Sequence, residues 1–74
     1  MNTDIKMHTV SSDVLAAVGY DAETKTLRVQ FKSGKVYDYS NVPSEIFAGL
    51  MGATSHGKYY SANVRGKFTS QLLG

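Results

Sequence analysis

The sequence predicts an α+β domain in which a three-stranded antiparallel meander is followed by two short helices packed on one face, in the order β-β-β-α-α. Three observations carry this prediction. Leu27, Val29 and Phe31 alternate with Arg28, Gln30 and Lys32, a half-buried strand pattern. Ser33-Gly34 then turns the chain directly into a second alternating run, Val36 to Ser40. After Pro43 the apolar spacing changes to i, i+3, i+4. A chain of 74 residues is one domain, and at this length it buries only about 60% of the surface that its unfolded form exposes. With no cysteine, disulfides and thiolate metal sites are excluded, and stability rests on packing or self-association.

The elements follow in order. Residues 1–7 read as a flexible N-terminus, 8–68 as the folded domain and 69–74 as a C-terminal tail. Val14 to Tyr20 is apolar on both faces and too short for a lone helix, so it reads as the first strand. Asp21 to Lys25 is polar and turn-like. Residues 27–32 and 36–40 complete the meander. Pro43 suits the first helical position, where its missing N–H costs nothing, and Glu45 complements the positive end of the helix dipole. Ile46, Phe47, Leu50 and Met51 then face the sheet, with Phe31, Phe47 and Leu50 buried together. Thr54-Ser55 caps a second helix whose Tyr60 and Val64, one turn apart, are its buried pair, and Gly66 stops it.

Tyr37 and Tyr39 stand at strand spacing and share one face, as core residues or as an aromatic platform. A two-residue turn at Ser33-Gly34 pairs Phe31 with Val36 and puts both rings on the polar side. A three-residue turn, with Gly34 at positive φ, pairs Val29 with Tyr37 and Leu27 with Tyr39 and puts both rings in the core. The first register buries Asp38 and Ser40, whereas the second buries rings whose hydroxyls can reach the rim. An unpaired buried carboxylate is the worse outcome, which favours the three-residue turn with only the hydroxyls near solvent. Asp38 then pairs across the hairpin with Arg28 or Lys25.

Charge is segregated. Residues 1–23 carry Asp4, Asp13, Asp21 and Glu23 against Lys6, a net −3, while the rest carries Lys25, Arg28, Lys32, Lys35, Lys58, Arg65 and Lys67 against Asp38 and Glu45, a net +5. A segregated basic surface attracts polyanions. The N-terminal ten residues contain no long apolar run, and Val14 to Val18 is far too short to span a membrane, so the chain reads as soluble and cytoplasmic.

Several further motifs bear on chemistry. The segment from Gly52 to Lys58 has the glycine and lysine spacing of a phosphate-binding P-loop, but Tyr59 stands where the magnesium-holding hydroxyl belongs and a helix precedes the loop. Helix amides near Ser55 to Lys58 retain the capacity to bind one phosphate. His8 and His56 lie apart without metal-ligand spacing, and His56 beside Gly57 reads as a capping-turn or surface residue. No nucleophile motif is present. The chain reads as non-enzymatic, with no cofactor and no metal.

Taken together, HTVSS, the hairpin FKSGKVYDY, NVP with its helix, SHGKYY and VRGK resemble the KTSC domain over about residues 8–68. The family's Y-x-Y mark falls on Tyr37 and Tyr39. That domain occurs at the C-terminus of some lysyl-tRNA synthetases and as small free-standing bacterial and phage-type proteins, so the resemblance implies RNA as a partner class. Two functions follow. In the first, Arg28, Lys32, Lys35, Lys58, Arg65 and Lys67 hold phosphates while Tyr37, Tyr39 and Tyr59 stack on bases of single-stranded RNA. In the second, the same tyrosines form an aromatic patch for a protein partner or a homo-oligomer.

Overall fold

The computed structural model describes residues 5–74. Its sheet has five antiparallel strands in sequential order: β1 (Met7–Thr9), β2 (Leu15–Asp21), β3 (Thr26–Phe31), β4 (Val36–Tyr39) and β5 (Ser70–Leu72). The helices α1 (Ser44–Gly52) and α2 (His56–Asn63) lie between β4 and β5. The α+β class and both helices match the sequence reading, but the three-stranded meander gains a strand at each edge. Within the segment read as a flexible N-terminus, residues 1–4 lie outside the described residues, Ile5 is buried and Met7 opens β1. Ser70–Leu72, within the expected tail, pairs with β4 through Asp38↔Gln71. Both additions are three-residue segments that carry no readable alternation. They acquire strand structure by covering the open edges of β2 and β4.

Register decides which side chains share a face. Val18, Val29 and Tyr37 form one row, and Tyr20, Leu27 and Tyr39 the next, both on the helix side. Gly19, Arg28, Asp38 and Gln71 form a row on the other side. A bulge between Leu15 and Ala17 shifts the ladder by one and returns Leu15 to the helix side opposite Phe31. The β3–β4 hairpin has the three-residue turn: Phe31 N donates to Lys35 O and Gly34 N to Phe31 O, both at 2.9 Å, with Gly34 at φ 100°. Only glycine adopts that φ cheaply. Gly34→Ala should therefore cost about 1 kcal/mol in urea unfolding, and an unchanged midpoint would show that the turn can relax to another type.

The largest fully buried side chains among the described residues are all aliphatic: Leu15, Val18, Leu27, Val29, Val42, Leu50 and Val64. This corrects the expected trio of Phe31, Phe47 and Leu50. Leu50 sits at the centre, whereas the two phenylalanines are half-buried against the core and belong to different ring clusters. Phe47 stacks on Tyr20 at 5.4 Å and places α1 over β2. Phe31 meets Tyr60 edge-on at 5.3 Å and places α2 over β3 and β4. Two short helices on a small sheet leave too little depth to enclose both rings, so the rings close the rim. α1 begins one residue after Pro43, which is itself extended at ψ 148°. Ser55 caps α2 by accepting from Lys58 N, and Gly66 at φ 74° follows its end. No helix among the described residues is long and apolar enough to cross a membrane.

Candidate nucleic-acid interface

Two grooves run along the junction of α2 with the sheet, and they meet. The larger, about 1260 Å³, lies between the β1–β2 loop and the first turns of α2. Ser11, Ser12, Asp13 and Val14 form one wall, and Ser55, His56, Lys58 and Ser61 the other, with Lys32 reaching in from the hairpin. A Cβ on Gly57 would stand 3.7 Å from Ser12 Oγ and from Val14 Cγ2, in ordinary contact with the opposite wall, so the two walls lie close at this end. The smaller, about 480 Å³, is aromatic and is lined by Phe31, Tyr37, Tyr39 and Tyr60 with Arg65 at its mouth. Val14 and Ser61 line both grooves. Val14, half-exposed at 50%, is the saddle between a polar half and an aromatic half.

The rings of the aromatic half pack against one another. Phe31 meets Tyr37 edge-on at 5.8 Å, and Tyr39 meets Tyr60 at 6.0 Å and 70°. Tyr39 is only 4% exposed, and its hydroxyl is hydrogen-bonded to that of Tyr60. The sequence reading placed both tyrosine hydroxyls near solvent. For Tyr39 this is corrected, because Tyr60 supplies an internal partner. Desolvation, reinforced by that hydrogen bond, pushes the Tyr39 phenol above the ordinary tyrosine range, with nearby Arg65 pulling weakly the other way. Tyr37 is half-buried and lines the aromatic groove beside Phe31.

The remaining residues named from sequence disperse. Arg28 forms a bidentate pair with Asp38 (Nε to Oδ1 2.7 Å, Nη2 to Oδ2 2.9 Å) on the sheet face away from the helices. This is the cross-hairpin pairing read from the sequence. Lys35 and Lys67 are exposed but line neither groove. Tyr59 is turned towards α1, where its hydroxyl occupies the space that a Cβ on Gly49 would need, so it joins neither the Tyr37 cluster nor the groove. His56, Ser61, Val14 and Phe31 were not singled out as site residues. One signal for them was available: Lys58, Ser61 and Arg65 recur at i, i+3 and i+7, a stripe beside the buried Tyr60–Val64 pair.

Comparison with known proteins places the chain. The model of the KTSC domain matches residues 11–68. The chain belongs to the KTSC domain family. A KTSC domain protein from Yersinia pestis is similar in structure, with TM-score 0.90 and 30% identity over 96% of this chain and 100% of that one. A protein of Tsukamurella paurometabola is 34% identical over 67 residues, covering 90% of this chain and all of that relative. A lysine–tRNA ligase of Nostoc punctiforme is 35% identical over 60 residues, covering 81% of this chain but 11% of the ligase. The KTSC chain thus spans about a tenth of that enzyme's length and the whole of the small relatives.

Proposed function

We propose that this KTSC domain binds single-stranded RNA along the joined grooves, as a binding module without catalysis. The observation that carries the reading is the meeting of the two halves at Val14 and Ser61. Lys32 and Lys58, from separate elements, stand where phosphates would lie, and the accessible part of Phe31 and Tyr37 stands with Arg65 where a base would stack. A single strand requires both halves, because charge holds the backbone and an aromatic face holds the base. Among the described residues Asp13 is the one acid lining either groove, which leaves the balance basic. The lysine–tRNA ligase relatives, which act on an RNA by name, support the same ligand class.

The reading predicts the salt dependence. About three phosphate contacts, at about −0.7 each, give a slope near −2 for log affinity against log salt with a single-stranded RNA oligonucleotide. Lys32→Ala and Lys58→Ala should each flatten the slope by about 0.7 and leave sequence preference unchanged. Binding that ignores salt and both substitutions would reject the groove. It would favour a protein partner, for which Leu72 at the end of the outer strand β5 and Leu73 just beyond it, both exposed, offer a surface.

A further inference from the structure

His56 stands in the first turn of α2, in the wall of the polar half. Its Nδ1 lies 2.8 Å from the carbonyl oxygen of Leu50. A carbonyl oxygen only accepts, so Nδ1 carries the proton of the neutral ring and Nε2 is left as an acceptor. Nε2 makes no hydrogen bond to a described residue, and Asp21 Oδ2 is the one buried, unpartnered side-chain nitrogen or oxygen among those residues. Nε2 is therefore open to solvent. An acceptor fixed in this orientation suits no phosphate oxygen, because those only accept. Along a nucleic-acid backbone the one donor is the 2′-hydroxyl of RNA, and a DNA backbone has none.

We infer that His56 accepts a hydrogen bond from a ribose 2′-hydroxyl and so makes the groove prefer RNA to DNA. This rests on the reading of the groove as a single-strand site. The Leu50 carbonyl fixes the tautomer, the cap at Ser55 fixes the turn that carries the ring, and Lys58 in the same turn holds the adjoining phosphate. Base amino groups also donate, but they change with sequence, whereas a sugar contact does not.

The test compares 12-nucleotide homopolymers of RNA, DNA and 2′-O-methyl RNA for the full chain. The 2′-O-methyl strand keeps the sugar pucker of RNA and loses the donor. RNA should bind about five-fold tighter than DNA for every base, the size of one neutral hydrogen bond, and 2′-O-methyl RNA should bind like DNA. In His56→Asn the amide can still donate to Leu50 but presents no acceptor at the Nε2 position. Its RNA-to-DNA ratio should fall to about one while its affinity for DNA and its melting temperature are kept. Equal binding of RNA and DNA by the parent would overturn the role of His56 and leave the groove standing. So would 2′-O-methyl RNA binding as tightly as RNA, or a preference that survives in the variant. No binding of any strand would overturn the groove itself.

Discussion

Leu50→Ala should cost about 3–4 kcal/mol, more than any truncation at the rim. Leu50 is fully buried at the point where α1 meets the core, and its removal leaves a cavity between a short helix and a thin sheet. Phe47→Ala removes a larger side chain, yet Phe47 is half-buried and its main partner is the ring of Tyr20. Its loss should cost about 2 kcal/mol, the lower range for partial burial. Domains of this size hold only several kcal/mol in total, so Leu50→Ala should approach complete unfolding at 37 °C. Urea titration of the two variants checks the order. A larger loss for Phe47→Ala would place the centre of the core at the α1–β2 rim instead.

The same contrast shows how much could be read in advance. The hairpin register was legible because one alternative buried an unpaired carboxylate, and the sheet resolves that conflict with the part-buried Arg28–Asp38 pair on its face away from the helices. The helices were legible from spacing and from Pro43, Ser55 and Gly66. The edge strands were not. Met7–Thr9 and Ser70–Leu72 become strands only because β2 and β4 offer free backbone groups, a property of the assembled sheet. The lining of the candidate groove was half legible. Lys32, Lys58 and Arg65 stood out as bases and Tyr37 as an aromatic, but their convergence depends on the β2 bulge and on α2 lying over Phe31. His56, read as a capping-turn or surface residue, is held through Nδ1 by the last turn of α1.

The buried hydroxyl pair gives the second large effect. Tyr39 and Tyr60 satisfy each other inside the core, so Tyr60→Phe should leave the Tyr39 hydroxyl without a partner and cost about 1–3 kcal/mol. Replacing both by phenylalanine removes the polar groups together and should recover most of that loss. A double-mutant cycle would then show clear coupling. The pH dependence has a definite sign. Burial raises the Tyr39 phenol above its ordinary value, and burial followed by the Asp21 charge raises that of Tyr20 in the same direction. Below about pH 10 both states hold these protons and the stability is fully present. Above about pH 10 the unfolded chain releases protons that the fold retains, so stability falls as pH rises towards the folded values. Tyr39→Phe/Tyr60→Phe should lose less stability between pH 8 and pH 11 than the parent does. Parallel urea curves at the two pH values measure the difference, and an equal loss in both proteins would show that the pair does not hold its proton against alkali.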